Sequence, residues 1–416
     1  MDHLKLNIRH LRAFCEVAEC HSISLASGRV HISQPAISQA LSKLEAQLET
    51  ALFRRRNSGM HLTVSGERFF ARASAALNFL EDGCLLALKQ AKGLRTKETA
   101  DFVLLITTAQ LRSLLALAAT SNFSLAARAI SISQPALHRT ARDLEKVTAL
   151  VLFKTATQGV ELTPAAEVLA RYANLAFAEL NQALSEIAEL LGKDRGTLVI
   201  GALPLARSFL LPNTINELLE HIPDVNVSVV DGRYDDLLHG LRYGELDMMI
   251  GALRDPLPVD DIRQEALFSD PLVVVTDVNH PLQNKENQLS LTELNSYPWI
   301  VPRIGTPTRA FFQKLFQEAG ALEPKRLIET SSMALARGLV IGSERLAIMS
   351  AQQVHFEINQ GLFAKLNVDT ASTSRDIGLT LRANWRPTEA QALLIKLLKQ
   401  SVVREFGSGE GYSKNE

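Results

Sequence analysis

Ser33-Gln34-Pro35-Ala36 and Ser133-Gln134-Pro135-Ala136 stand one hundred residues apart in the chain. In each, the serine suits the cap of a helix whose first turn accepts proline, because the missing amide hydrogen would have no intrahelical partner there. After the first copy, Ile37, Leu41, Leu44 and Leu48 recur at four-three-four spacing, which predicts one buried helical stripe. Ser38, Gln39, Ser42 and Lys43, with Ser33, Gln34 and Pro35 at the helix start, fall off that stripe. A helix with a buried back and a short, hydrogen-bonding front fits the major groove of double-stranded DNA.

Upstream, residues 8–21 read as a helix with Ile8, Leu11, Phe14, Val17 and Ala18 on one face. Ser24 is placed to cap a short second helix whose Leu25, Ala26 and Val30 point inward. Three such helices joined by short turns make a helix-turn-helix core. Downstream, Leu52 to Thr63 reads as two extended runs about Asn57-Ser58-Gly59, a small β-wing carrying Arg54, Arg55 and Arg56. Arginines beside a groove hold phosphates, setting register and adding salt-dependent affinity without reading sequence. A long helix follows from Gly66 to about Lys92, with Gly83 spoiling its heptad pattern, and then a short connector over 93–106.

The pattern then restarts with an offset of one hundred. Leu11/Leu111, Ser24/Ser124, Leu44/Leu144, Glu45/Glu145, Phe53/Phe153 and Thr63/Thr163 coincide, besides the motif itself. Agreement at capping, turn and core positions predicts one module written twice. A second long helix, about 165–191, steps by four and three through Leu169, Ala173, Ala176, Leu180, Ala183, Ile187 and Leu190, which favours a packed helix pair. The copies differ where contact would occur. Beside Ser133, Gln134 and Pro135, the second front carries His138, Arg139 and Arg142, and its wing keeps only Lys154. An arginine fork suits guanine and an amide suits adenine, so the two copies are expected to favour different base pairs. The alternative is that one copy is purely structural.

Past Gly196, short β runs alternate with helices: 198–201, 225–230 and 248–251, separated by helices at 210–221 and 235–243. This order implies a parallel sheet. A second set follows at 272–276, 299–301, 326–329 and 346–349, with helices near 308–319 and 332–341, before the chain returns through 377–381 to a closing helix at 388–404. Two α/β lobes joined by crossings near 268–272 and 365–376 leave a cleft, the default ligand site. Helix starts favour anions, so a carboxylate or sugar acid is expected between Leu203, Pro204, Leu205, Arg207 and Ser208 on one lobe and Gly305, Thr306 and Thr308 on the other. Arg303 and Arg309 stand nearby, with Ser331 and Ser332 on the rim.

Charge supports the division. Residues 1–100 hold 14 Lys and Arg against 9 Asp and Glu (+5), residues 101–194 hold 8 against 9 (−1), and residues 195–416 hold 22 against 27 (−5). A basic front and an acidic rear fit a DNA-binding end on a body that stays off DNA. Cys15, Cys20 and Cys84 lack metal-ligand spacing and read as small apolar residues in helices of a reducing cytosol. No apolar run is long enough to span a membrane and the start has no signal-peptide core, so a cytoplasmic protein is expected. Asp231, Asp235 and Asp236 are better explained as acids at a helix start than as a metal site. With no phosphate loop, zinc spacing or nucleophile elbow, no cofactor and no enzymatic activity are expected. The chain beyond Gly407 reads as a disordered tail.

Taken together, the chain resembles a LysR-type transcriptional regulator. Leu11-Arg12-Ala13-Phe14, the Ser-Gln-Pro-Ala run, Leu44-Glu45, Leu52-Phe53 and Leu62-Thr63 carry the resemblance in front; Pro223-Asp224-Val225, Gly244-Glu245-Leu246-Asp247 and His280-Pro281-Leu282 carry it behind. Gly305-Thr306-Pro307-Thr308-Arg309 and Glu329-Thr330-Ser331-Ser332 are similar to the subgroup of galactose-binding-protein and protocatechuate regulators. The resemblance implies a multidomain fold. Winged helix-turn-helix modules at 6–63 and 106–163, each with a linker helix (64–105 with its connector, and 164–194), precede a two-lobed α/β effector domain at 195–404 like type 2 periplasmic binding proteins. Lobe I would take 195–268 and 372–404, lobe II 269–371, and the tail 405–416. It also implies a homodimer or homotetramer assembled through linker helices. Family members carry one DNA-binding module, so the doubling here leaves open whether the two long helices pair between chains or antiparallel within one. Two other readings remain, an architectural DNA-bridging protein of low sequence preference and a binding-protein-like enzyme with a regulatory front end.

Overall fold

Asn7, Ser22 and Ser33 each accept a backbone N–H at the start of a helix, and these three caps set out the first module of the protein, seen here in a computed structural model: α1 (Ile8–Cys20), α2 (Ile23–Val30) and α3 (Gln34–Leu48). The structure describes residues 6–91, 104–156, 159–193, 196–208, 210–285, 287–370 and 373–406. The amino-terminal five residues, most of the expected connector, Thr157-Gln158 and the expected tail from residue 407 lie outside the described residues, while Glu405 and Phe406, assigned to that tail, still belong to the closing helix. The chain forms two units, one running from the amino end to Thr197 and one holding most residues from Leu198 onward.

In the first unit, Ile37, Leu41, Leu44 and Leu48 are buried as their spacing requires. Two details of α2 differ from the sequence reading. Ser22 is the cap, and Ser24 instead receives the Gln34 side-chain amide (Nε2 to Oγ, 3.2 Å). Leu25 is 64% exposed; only Ala26 of the expected inward face is fully buried, because eight residues present a single turn to the core. The wing is the hairpin β1 (Phe53–Arg56) and β2 (Gly59–Leu62). It hangs on Glu45, whose Oε1 accepts the amides of Leu52 (2.8 Å) and Phe53 (3.3 Å). Its far strand is tied to α1, with Met60 N donating to His21 O (2.9 Å). Gly59 sits at φ +121°, and a Cβ there would collide with that same His21 carbonyl.

The second module repeats this wiring. It comprises α5 (Thr108–Thr120), α6 (Phe123–Ala129), α7 (Gln134–Thr148), β3 (Phe153–Ala156) and β4 (Gly159–Leu162). Glu145 accepts from Leu152 and Phe153, Val160 N donates to Ser121 O, and Ser124 donates to Gln134.

The long helices are α4 (Val64–Gln90) and α8 (Pro164–Leu190), capped by Thr63 and Thr163. They pack on each other within this one chain and run antiparallel. Arg72 near the start of α4 meets Gln182 and Glu186 near the end of α8, while Gly83 meets Tyr172. The heptad break at Gly83 is a point of close approach, since a Cβ there would overlap the Tyr172 Cβ. At the other end of the bundle, Ile8 N donates to Thr108 Oγ1 (3.1 Å) and Arg12 Nη1 to Leu104 O (2.7 Å). One continuous apolar core joins both modules and both long helices.

The second unit holds two five-stranded sheets. The first runs β6 (Asn226–Asp231), β5 (Thr197–Ala202), β7 (Met248–Ala252), β14 (Arg375–Arg382), β8 (Ile262–Asp270). The second runs β11 (Leu327–Glu329), β10 (Trp299–Val301), β12 (Leu346–Ser350), β9 (Leu272–Asp277), β13 (Phe363–Lys365). Neither is purely parallel. β5 pairs parallel with β7, and β10 with β11 and β12; β14 lies antiparallel to β7 and β8, and β9 to β12 and β13. The antiparallel members are the strands that carry the chain from one sheet to the other and back, and β8 and β13 were not legible as strands beforehand. The first crossing is the single residue Pro271, so the first sheet's strand β8 runs two residues beyond the expected end of lobe I. Helices α9 (Leu210–His221), α10 (Tyr234–Arg242) and the closing α15 (Glu389–Phe406) accompany the first sheet. Beside the second lie α11 (Leu291–Leu294), α12 (Pro307–Glu318), α13 (Met333–Val340) and α14 (His355–Asn359), with Trp299, Phe312 and Phe316 interlocked edge to face in its core. Among the described residues, no helix is long and apolar enough to cross a membrane.

Candidate nucleic-acid interface and effector cleft

The burial that fixes α3 leaves Ser33, Gln34, Pro35, Gln39, Ser42 and Lys43 exposed along one side, with Ser38 half-buried. The wing then adds Arg54, Arg55 and Arg56, all exposed on β1. Gln34 is partly committed by its bond to Ser24, which couples the start of α3 to α2. Gln39, Ser42 and Lys43 lie exposed on α3.

The second front is less open than its sequence suggests. Ser133 caps α7, and Gln134 accepts the Ser124 hydroxyl (3.0 Å). His138, expected to face outward, is half-buried and stacked flat on Phe123, with ring centroids 3.7 Å apart. Arg142 is held by Glu145 on its own helix (2.6 Å). Arg139 and, on β3, Lys154 remain exposed. The aromatic that captures His138 replaces Ile23 of the first copy. That substitution was visible in the sequence, but its contact with α7 was not.

In the second unit, the expected anion site is only partly assembled. Gly305, Thr306, Pro307 and Arg309 line a cavity of about 310 Å³ together with Ala310, Gln313 and Arg254. Thr306 caps α12 (Arg309 N to Thr306 Oγ1, 3.3 Å), and Gly305 reaches it at φ +85°. Arg309 is 5% exposed and lies 3.6 Å from Glu323 and 3.9 Å from Glu329, and its Nε and Nη1 lack hydrogen-bond partners. Arg254, contributed by the first sheet from the loop after β7, lies over the Tyr234 ring at 4.3 Å.

The other expected effector residues do not line this cavity. Leu203 and Leu205 are buried side chains about the short turn Pro204–Arg207, Arg207 pairs with Asp231 (3.1 Å), and Ser208 lies half-buried. Arg303 is exposed and contributes its carbonyl to the Thr306 hydroxyl (2.8 Å). Thr308 accepts from Arg375 Nη1 (2.8 Å); Ser332 caps α13 beside an exposed Ser331. Sequence reasoning missed Arg254, in the loop after β7, and Arg375, at the start of β14, where nothing in the local pattern separates an arginine facing the cavity or Thr308 from a surface one. Burial draws the Arg375 guanidinium below its ordinary value, partly offset by Asp270. Asp270 sits at the crossing, accepting from Ser350 and Gln352, and burial raises its carboxyl.

Comparison with known proteins agrees with this layout. The family model described as LysR substrate binding domain matches residues 191–402, and that of the bacterial regulatory helix-turn-helix protein, lysR family, matches twice, at 8–67 and 108–167. The HTH-type transcriptional regulator GalR of Pseudomonas putida is 31% identical over 399 residues, covering 96% of this chain and 98% of its own length. The HTH-type transcriptional regulator PcaQ of Agrobacterium fabrum is 28% identical over 287 residues, covering 69% of this chain and 92% of its own. Among solved structures, a cysteine-to-aspartate variant of full-length OxyR from Pseudomonas aeruginosa is 25% identical with a TM-score of 0.52, over 72% of this chain and 95% of that one. With a helix-turn-helix front and a substrate-binding rear both matched, the chain belongs to the LysR family of transcriptional regulators.

Proposed function

We propose that this regulator carries two non-equivalent DNA-reading heads on one polypeptide, at 6–63 and 106–163, and is switched by a small acid bound in the cleft of its 195–404 domain. The observation that carries the reading is the double match of the helix-turn-helix family at 8–67 and 108–167, each range falling on one complete winged module. The GalR relative aligns along nearly the whole chain, so its length accommodates both heads, whereas PcaQ spans 69%. Acting on double-stranded DNA, the protein works in the cytoplasm.

The first head, with Gln39 and three wing arginines, favours adenine-containing steps and draws more affinity from phosphate. The second, with Arg139 exposed, favours guanine. Gln39→Ala and Arg139→Ala should each weaken operator binding by about 1–3 kcal/mol and relax preference only at their own half-site, read by titration against operators mutated in either half. Head two has a second reading, because His138 and Arg142 are engaged within the module: it serves as packing alone. An Arg139→Ala protein with unaltered affinity at every salt concentration selects that reading.

For the cleft, support comes from Arg309 in the first turn of α12, buried with no hydrogen bond at Nε or Nη1 although Glu323 and Glu329 stand within 4 Å, where helix-end amides add their own preference for negative charge. The two-sheet body resembles type 2 periplasmic binding proteins in having its pocket between sheets joined by two crossings. A small carboxylate or sugar acid is the effector class we favour. Acids at about ten times their Kd should stabilise the full chain by about 1.4 kcal/mol. That gain should vanish for the matching amides and in Arg254→Gln. Identical melting temperatures with and without a panel of such acids would exclude an anion site here.

A further inference from the structure

The two halves of the α4–α8 seam are related by the hundred-residue repeat, yet they are filled with opposite chemistry. At one end, Arg72 (4% exposed) donates from Nη1 to Glu179 Oε2 (2.9 Å) and Gln182 Oε1 (2.6 Å), and from Nε and Nη2 to Glu186 Oε1 (3.1 and 2.6 Å). Burial pulls this guanidinium down, but the bonds to Glu186 and the charge of Glu179 outweigh it and hold it above its ordinary value. The repeat equivalent of Arg72 is Tyr172, and the equivalents of Glu179, Gln182 and Glu186 are Phe79, Asp82 and Leu86. The equivalent positions at the other end thus hold no arginine and a single carboxylate, Asp82. Tyr172 lies on Gly83, with its ring 6.3 Å from that of Phe79.

Each helix is therefore wrong for its own copy. Two α4 helices would set Arg72 against Phe79, Asp82 and Leu86, exchanging two carboxylates and an amide for one shorter carboxylate. Each Gly83 would lose the tyrosine that fills it. Two α8 helices would press Tyr172 onto Ala183, where the present spacing has no room for a Cβ, and would bury Glu179 and Glu186 without a cation. Specificity of this kind comes from what the wrong partner leaves unpaired or clashing.

We propose that Arg72 with Glu179, Gln182 and Glu186, and Tyr172 with Gly83, form a pairing code that joins α4 to α8 of the same polypeptide and rejects like-with-like pairing between chains. The proposal does not rest on either head binding DNA. Chains then associate through surfaces other than these linker helices, unlike the homodimer the family resemblance implied.

Reporter cysteines at Ala76 and Ala176 test this in the full chain after Cys15→Ala, Cys20→Ser and Cys84→Ala remove the native thiols. Both positions are buried near the midpoint of the seam, so a like-with-like pair would bring two copies of one reporter together. Under mild oxidation, neither single reporter should give covalent dimers, and the double should close an intrachain bond unaffected by tenfold dilution. Covalent dimers from either single reporter, or only interchain bonds from the double, would overturn the proposal. Adding Arg72→Ala to the Ala76→Cys chain should raise covalent dimer about tenfold or more, because a lost buried ion-pair partner is worth over a decade in an equilibrium constant. Arg72→Lys should hold it down; equal dimer in both variants reduces Arg72 to packing and refutes the code. If Arg72→Ala fails to fold, Gly83→Ala should slow the intrachain bond and Gly83→Ala with Tyr172→Ala restore it, and failure of that rescue counts against the proposal.

Discussion

Arg72→Ala is expected to destabilise the amino-terminal unit by about 3–5 kcal/mol, the largest effect of any single substitution considered for this protein. The reason is what remains rather than what is removed. Glu179 and Glu186 are 9% and 13% exposed in their side chains and would be left in the seam without their cation. Replacing the whole cluster with apolar residues of similar volume, as in Arg72→Met with Glu179→Leu, Gln182→Leu and Glu186→Leu, should restore most of the loss, since a buried ion pair often contributes little net stability over a well-packed apolar equivalent. Equilibrium denaturation of the two variants separates the cases. If the single change costs under about 1 kcal/mol, as exposed pairs do, the cluster is more solvated than its geometry indicates.

The second large effect falls on affinity. Changing Arg54, Arg55 and Arg56 together to alanine should lower the slope of log K against log salt by about 2–3, one condensed counterion being released for each phosphate neutralised. At about 0.1 M salt this amounts to a loss on the order of a hundredfold or more, equal for specific and nonspecific duplexes. Stability should change little, because all three side chains are exposed. Lys154→Ala, on the opposite wing, should shift the slope by about one at most. An unaltered slope in the triple variant means that the first wing stands clear of the phosphate backbone.

Periodicity carried most of the amino-terminal unit. The stripe from Ile37 to Leu48 and the cap at Ser33 read correctly because they are local, since a 3.6-residue period and a cap need only near neighbours, whereas the cap expected at Ser24 falls on Ser22 and the cap at Thr63 was not read. Glu45 and Glu145 were legible as matched positions, while their work as acceptors for two wing amides needs the hairpin folded back on the helix. Gly83 was read as a flaw because its partner lies on the other long helix, 89 residues downstream at Tyr172. His138 was assigned outward by helical phase alone, which does not register a ring arriving from the preceding helix. In the second unit, most strand runs were found, β8 and β13 excepted, but the directions were not, since β14 and β9 are set antiparallel by the chain's return and not by their own composition. The cleft shows the same limit. The start of α12 announces itself through Thr306-Pro307, but Arg254 and Arg375 meet it only after two crossings are made.

The heads share a seam but not a codon. In a symmetric homodimer, every change in the reading helix strikes both half-sites at once, so a regulator and its promoter must shift in step at two places. Here Gln39 and Arg139 are encoded separately and held at fixed one-to-one stoichiometry. With both modules reading DNA as proposed, one half-site could drift and be followed by a single mutation while the other kept its grip, and dilution of the protein would never separate the two.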